Sequence, residues 1–100
     1  MEDLNDLVLF ARVVEHNGFS AASRELGIPK SRLSRRIALL EERMDARLLQ
    51  RSSRRLAVTA VGQLFYERCL AVISAGESAS EVVQQALGQP GHESLAHVLG

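Results

Sequence analysis

A stripe of aliphatic residues at helical spacing, placed directly after a glycine–proline turn, constrains the fold of this chain more than any other feature. The stripe consists of Leu33, Ile37, Leu40 and Met44. At about 100° per residue these side chains fall within one narrow arc, which predicts the buried face of a helix. We expect this helix to have Ser31 as its N-cap and to run to about Met44. Gly27 and Pro29 precede it, and glycine can end one helix while the residue before a proline resists helical geometry.

Two further helices are predicted upstream of this turn. The first runs from residue 3 to about residue 16, with Asp3 as its N-cap, and an Asn-Gly pair ends it. The second is shorter and begins at Phe19, with Ser20 as its N-cap. The residues expected to face inward are Leu4, Leu7, Val8, Ala11 and Val14 in the first helix and Ala21, Ala22 and Leu26 in the second.

Two short segments that suit β-strands follow the third helix. They span residues 47–51 (RLLQR) and 56–58 (LAV), and the basic sequence SSRR separates them. We therefore expect a small hairpin with a basic tip.

A long fourth helix is predicted from Ala60 to Leu87, with Thr59 as its cap. At 28 residues it would be about 42 Å long. Small or apolar residues recur along it in alternating steps of four and three, which is typical of a coiled-coil seam. The seam residues are Phe65, Cys69, Val72, Gly76, Ala79 and Val83. Because so long a helix has little of its own chain to pack against, we expect a second copy of the chain to cover the seam.

Charge is distributed unevenly along a chain whose formal net charge is +0. Residues 30–55 carry nine basic side chains and three acidic ones, a net charge of +6, and each flanking block carries −3. So strong a concentration of positive charge predicts a polyanionic partner. A solvated charged face is the alternative, and we expect Arg43 and Arg47 to pair with Glu42 or Asp45.

These elements together predict a mainly α fold, a winged helix-turn-helix of three helices and a small β-hairpin wing, followed by a long dimerisation linker helix. In this fold the N-terminal residues of the recognition helix lie in the major groove of DNA, where lysine and arginine donate to guanine. Contacts to phosphate or from the wing are expected of Ser20, Arg36, Arg51, Arg54 and Arg55. Arg36 projects nearer the buried stripe than Arg35, so a salt bridge is an alternative role for it.

Enzymatic and membrane functions find little support in the sequence. The histidines show no metal-ligand spacing with the lone Cys69, and neither a glycine-rich phosphate loop nor a nucleophile elbow is present. Cys69 is expected to be a small core thiol rather than a redox sensor. No apolar run approaches the ~20 residues that span a bilayer, and the acidic N-terminus differs from a secretory signal. We expect a cytoplasmic protein that is not an enzyme.

From Leu4 to Gly62 the sequence resembles the N-terminal DNA-binding domain of LysR-type transcriptional regulators. The segments that carry the resemblance are FARVVEHNGFSAASRELGIPKSRLSRRIALLEE and RLLQRSSRRLAVTAVG. Phe-Ser-Ala-Ala, Leu-Ser-Arg, Leu-Leu-x-Arg and Leu-x-x-Thr-x-x-Gly occur in them together and in order. The family implies a bacterial regulator with a DNA-binding domain at residues 1–58. Within that domain the helix-turn-helix lies at about 19–38 and the wing at about 47–58, and a dimerising linker helix follows at 59–87.

The resemblance also assigns roles to individual residues. Matched by position, base contacts fall on Lys30, Ser31, Arg32, Ser34 and Arg35, and a wing contact falls on Arg54. Asp45 stands where the family usually has the glycine that ends the third helix, and aspartate tolerates the left-handed conformation better than most residues. The implied partners are double-stranded DNA carrying an interrupted inverted repeat and a second copy of the chain, in a dimer or higher oligomer.

Family members continue beyond the linker helix into an effector-binding domain, which residues 88–100 do not resemble. We therefore expect no cofactor in this region, and we expect a small-molecule effector to bind a C-terminal domain absent from this chain. Two alternatives stay open on the sequence. One is a winged-helix regulator of the molybdate-responsive type, and the other is a winged helix that serves only protein interaction or dimerisation.

Overall fold

Four helices and one antiparallel hairpin make up the part of the chain that the computed structural model describes, residues 3–52 and 55–88. In chain order they are α1 (Leu4–Glu15), α2 (Phe19–Leu26), α3 (Lys30–Met44), β1 (Leu49–Arg51), β2 (Leu56–Val58) and α4 (Ala60–Gly88). Leu49 pairs with Val58 and Arg51 with Leu56. The predicted winged helix-turn-helix is confirmed, although β1 is shorter than the expected strand at residues 47–51. None of the described helices is long and apolar enough to cross a membrane.

Two of the predicted N-caps are wrong by two residues each. Ser20 and Ser31 were expected as N-caps, but each lies inside its helix. Gly18 and Pro29 occupy the cap positions instead, and neither makes a side-chain capping bond. The turn residues adopt non-helical backbone angles themselves, Pro29 with φ −54° and ψ 137°, so each helix can begin directly after them.

The other predicted boundaries are confirmed. Asp3 caps α1, because its Oδ1 accepts from the N–H of Asn5 at 2.8 Å. Gly27 ends α2 with φ 68°, and Asp45 ends α3 in the left-handed region with φ 51°. Thr59 precedes α4, and its hydroxyl accepts from the N–H of Gly62 at 2.9 Å.

The core is organised around the predicted stripe of α3. Leu33, Ile37 and Leu40 have no exposed surface, and Met44 is half-buried. Other fully buried side chains come from α1, α2, the segment leading into the wing, and α4, namely Phe10, Val13, Ala22, Leu48, Leu49 and Cys69. The aliphatic stripe thus fixes which side of α3 faces inward, and with it which side faces solvent.

The buried face of α1 differs from the predicted one. The buried residues are Asp6, Leu7, Leu9, Phe10, Ala11 and Val13. Leu4, which was expected to face inward, is 49% exposed, and Val8 and Val14 are only half-buried. The centre of the face is Phe10, whose ring lies 5.3 Å from that of Phe65 on α4. Since α1 packs against α2, α3 and the start of α4, no single narrow stripe describes its contacts.

The chain divides into two units after Leu70. The first unit holds α1 to α3, the hairpin and the first residues of α4. In the second unit, residues 71–88 of α4 are exposed, except for Ile73 and Ala86, which are half-buried.

Candidate nucleic-acid interface

An open groove with a volume of about 460 Å³ lies where the start of α2, the start of α3 and the hairpin meet. It brings together five of the residues that the sequence assigned to DNA binding. These are Ser20, Lys30, Ser34, Arg51 and Arg55. Arg24 on α2 lines the same groove, although the sequence reading did not select it. We call this feature the basic groove.

The turn between α2 and α3 sets the position of one wall of the groove. The Ser23 hydroxyl donates to the carbonyl of Ile28 at 2.5 Å, and the N–H of Gly27 donates to the carbonyl of Ser23 at 2.9 Å. These bonds hold the short connection in one conformation, so the first turn of α3 starts beside α2 and faces solvent.

The outer side of α3 carries the predicted base-reading residues. Lys30, Ser31, Arg32 and Arg35 are exposed, and Ser34 is half-buried. Among the residues that the structure describes, Lys30, Arg32 and Arg35 take part in no ion pair. Their charges are therefore available to an external anion or to the acceptor atoms of a base edge.

Arg36 does not belong to this exposed set. It donates from Nε at 3.0 Å and from Nη2 at 2.6 Å to Oδ1 of Asp6, which is nearly buried. Of its two expected roles, phosphate contact and salt bridge, the structure shows the salt bridge. Arg43 was expected to pair with Glu42 or Asp45, and in the structure it donates to Oδ2 of Asp6 at 2.7 Å.

Arg51 is exposed, but it also pairs with an acid of α3. Its Nη1 donates to Oε1 of Glu41 at 2.9 Å, and its guanidinium lies 5.6 Å from the centre of the Phe19 ring. The side chain joins the hairpin to α3 and α2 and forms part of the wall of the basic groove, and its role as a phosphate or wing contact stays a prediction.

Glu41 is the acid at the centre of this arrangement. Its Oε2 accepts from the N–H groups of Leu48 and Leu49, at 2.8 and 3.1 Å. Burial alone would raise the pKa of Glu41. The hydrogen bonds from Leu49, Arg51 and Leu48 outweigh burial, so the pKa lies below the ordinary value of 4.5. A charged Glu41 therefore fastens the hairpin to α3.

The tip of the wing is closed by a serine. The Ser52 hydroxyl donates to the carbonyl of Arg55 at 2.6 Å and accepts the N–H of Arg55 at 3.0 Å. Arg55 is exposed and lines the basic groove. Arg54, which was predicted to be a wing contact, lies outside the described residues.

The predicted seam of α4 divides into two parts. Cys69 is fully buried within the chain and so has no surface to offer a second copy, whereas Phe65 packs against Phe10 and is half-buried, so its place in the seam stays a prediction. Burial raises the pKa of the Cys69 thiol to about 11, which suits the predicted core thiol. The remaining seam residues Val72, Gly76, Ala79 and Val83 are exposed.

Sequence reasoning missed the two acids that organise the arginines. A signal was present for each: Asp6 lies four residues before Phe10 and Glu41 four residues after Ile37, so both fall on the inward side of their helices. Within the described part of the chain, no group of three or more histidine, cysteine or acidic side chains could hold a metal ion.

The outer side of α3 carries exposed cations, α2 packs across α3, and the hairpin lies beside them. This arrangement defines a helix-turn-helix DNA-binding domain. Comparison with known proteins shows to which family of helix-turn-helix proteins the chain is similar. The sequence model described as "Bacterial regulatory helix-turn-helix protein, lysR family" matches residues 4–63. The chain belongs to this family.

Individual relatives agree with this assignment. An "HTH-type transcriptional regulator" of Xanthomonas campestris pv. campestris is 41% identical over 88 residues, which is 88% of this chain and 26% of that protein. The crystal structure of the BenM_DBD/catB site 1 DNA complex matches with a TM-score of 0.82 at 30% identity, covering 89% of this chain and 99% of that one. The full-length Vibrio cholerae virulence activator AphB matches with a TM-score of 0.74 at 35% identity, covering 83% of this chain and 29% of that one. The chain thus spans roughly a quarter of the length of the curated relatives it matches.

Proposed function

We propose that the chain binds double-stranded DNA with the N-terminal half of α3 in the major groove, as the DNA-binding part of a dimeric transcriptional regulator. The observation that carries this proposal is the outer side of α3. It presents Lys30, Arg32 and Arg35 to solvent, whereas Arg36 and Arg51 pair with nearly buried acids.

Base readout is assigned to five residues of α3: Lys30, Ser31, Arg32, Ser34 and Arg35. An arginine or lysine can donate to O6 and N7 of guanine, and a serine hydroxyl can donate to or accept from several bases. The aliphatic stripe supports this assignment, because it fixes the rotation of α3 about its axis and so determines which side chains point away from the core.

Phosphate binding is assigned to the basic groove. The first turn of α2 contributes N–H groups without helical partners, and Ser20 adds a hydroxyl at the same place. Lys30 and Arg55 supply positive charge from two other sides of the groove. A phosphate bound there would set the register of α3 in the neighbouring major groove. We keep Arg54 as a wing contact, on the position it shares with the family motif.

We assign dimerisation to the exposed part of the α4 seam. Val72 is 42% exposed and Val83 49% exposed, and the small residues Gly76 and Ala79 between them allow close approach of another helix. A two-fold axis would place two copies of α3 in major grooves about one helical turn apart or a multiple of that distance. The expected target is an interrupted inverted repeat.

Further aspects of the proposal concern the whole regulator. We propose that it acts in the cytoplasm on transcription, that it is not an enzyme, and that any small-molecule effector binds outside residues 1–87. Membership of the lysR family favours this reading over a molybdate-responsive regulator. A module for protein interaction alone gives no reason for the unpaired cations on α3.

Selection of bound sequences from a random pool of DNA duplexes tests the proposal. We expect enrichment of one interrupted inverted repeat, with a guanine preference in each half-site that Arg35→Ala relaxes. Failure of any sequence to enrich over repeated rounds would contradict sequence-specific binding. Enrichment of a single half-site without its inverted copy would contradict the proposed dimer.

A further inference from the structure

Asp6 binds two arginines of the recognition helix at once. It lies on α1 and is 5% exposed. Its Oδ1 accepts from Nε and Nη2 of Arg36, and its Oδ2 accepts from Nη2 of Arg43 at 2.7 Å. The exposed Asp3 makes a longer ion pair, with its Oδ2 3.9 Å from Nη2 of Arg36.

Arg36 would otherwise be well placed to reach DNA. It follows Arg35 directly and lies four residues, one helical turn, after Arg32. Its side chain is 36% exposed, so water and ions have access to it. The bond to Asp6 turns the guanidinium toward α1. For a phosphate to take the guanidinium away, a nearly buried carboxylate would have to lose its closest partner, which is unfavourable.

We infer that Asp6 limits the sequence-independent affinity of this domain for DNA, because it withholds Arg36 from the phosphates. A phosphate contact strengthens binding to every sequence alike, whereas contacts to base edges discriminate between sequences. Withholding one cation beside the base-reading residues therefore lowers affinity for all sequences and leaves discrimination to the base contacts. This inference rests on the proposed function, since it assumes that α3 faces DNA.

The test uses Asp6→Asn, which keeps the shape of the side chain and removes its charge. Binding is measured by fluorescence anisotropy over a series of salt concentrations. Two probes are used, a duplex selected by the wild-type protein from a random pool and a duplex of the same composition in scrambled order. We expect the log–log slope of affinity against salt to steepen by about 1.8 on both probes, the value for one further neutralised phosphate in each protomer of a dimer. Affinity for both duplexes should rise several-fold, and the ratio of selected to scrambled affinity should stay close to that of the wild type.

Three further variants separate this role from a structural one. Glu67→Gln removes the same charge from an exposed position on α4 and should leave the slope and the ratio unchanged. Arg36→Gln should leave the slope of the wild type unchanged and should cancel the steepening in the Asp6→Asn protein. Asp6→Glu retains the charge and should restore much of the wild-type slope and affinity. A loss of packing alone would weaken binding to both probes without steepening the slope.

The outcomes are distinct for this inference and for the proposed function. If Arg36→Gln alone makes the slope shallower by about 1.8, Arg36 of each protomer already contacts a phosphate and the inference is overturned. An unchanged slope in Asp6→Asn, with the fold intact by circular dichroism, overturns it as well. If Asp6→Asn does not fold, the salt dependence of binding by Arg36→Gln decides by itself whether the inference holds. Absence of duplex binding by the wild-type protein would instead overturn the proposed function.

Discussion

Individual arginines of this domain differ in function because of the acids that lie near them. Arg32 and Arg35 extend from α3 into solvent, whereas Arg36 and Arg51 end on Asp6 and Glu41. A free guanidinium can exchange its water for a base or a phosphate, while a paired one contributes to the rigidity of the surface that presents the free ones. The net charge of +6 over residues 30–55 therefore overstates the charge that this surface offers to DNA.

Replacement of Arg35 by alanine tests base readout at the residue scale. We expect Arg35→Ala to cost about 1–3 kcal/mol on the selected duplex and to relax the preference at one base position, because a bidentate contact to guanine is lost. Arg68 is exposed on α4, so Arg68→Ala is the matched control and should change neither the affinity nor the base preference. Equal losses on selected and scrambled duplexes would show that Arg35 only contacts the backbone.

Glu41 gives a prediction for stability against pH. Because its pKa is lowered in the folded protein, charged Glu41 stabilises the fold above its ordinary pKa of 4.5, and this stabilisation is lost as pH falls through the lowered value. We expect Glu41→Gln to lower the free energy of unfolding by about 1.5–3 kcal/mol at about pH 7, because charge-assisted hydrogen bonds are lost. The difference from wild type should shrink in acid.

Urea unfolding at a series of pH values measures this difference. The exposed neighbour Glu42 provides the control, and Glu42→Gln should change the unfolding free energy by less than about 0.5 kcal/mol. A difference between wild type and Glu41→Gln that stays constant down to the most acidic pH would show that Glu41 does not act through its charge.

At the scale of elements, the start of α4 is fitted closely against the segment that leads into the wing. A Cβ atom added at Gly62 would collide with the backbone carbonyl of Leu48 and crowd Val58. We expect Gly62→Ala to destabilise the fold by about 1–3 kcal/mol, because the backbone would have to move. Thermal unfolding followed by circular dichroism measures the effect.

Gly76 offers a contrast within the same helix. Nothing lies within 4 Å of a Cβ added there, and the position is exposed. We expect Gly76→Ala to be tolerated far better than Gly62→Ala, because the added Cβ meets no atom of the same chain and alanine favours helix over glycine by about 0.5–1 kcal/mol. If both substitutions had the same effect, the close approach at Gly62 would have no energetic consequence.

Most of the element structure could be predicted from the sequence, and the reasons differ among elements. The stripe of α3 was read correctly because Leu33, Ile37 and Leu40 lie in one narrow arc and are all fully buried. The buried face of α1 was misjudged because this helix packs against three others. The partners of Arg36 and Arg51 are 30 and 10 residues distant in sequence, so patterns within one helix carry no information about them. The exposed site residues of α3 were predictable because they lie opposite a clear aliphatic stripe.

At the scale of the whole molecule, binding to an inverted repeat requires two copies of the chain. We expect Ala79→Glu to yield monomers in sedimentation experiments, because like charges would meet across the seam between two copies of α4. Affinity for a full inverted repeat should then fall toward that for one half-site. Ser74→Glu, on the opposite side of the same helix, is the control and should remain dimeric. If the wild-type protein is monomeric at micromolar concentration, the assignment of the seam as the dimer contact is wrong. The assignment is also wrong if Ala79→Glu remains dimeric with unchanged DNA binding.

The salt dependence of binding to duplex DNA by the wild-type chain is the most direct measure of whether the outer side of α3 and the basic groove bind DNA. Each phosphate neutralised contributes about −0.9 to the log–log slope, so a dimer that neutralises two phosphates per protomer should give a slope of about −3.6 or steeper. We predict a slope of at least this steepness on the selected duplex, since Lys30, Arg32, Arg35 and Arg55 are all exposed in each protomer. A slope shallower than about −0.9 would mean that fewer than one phosphate is neutralised, and it would contradict the proposal that this surface binds DNA.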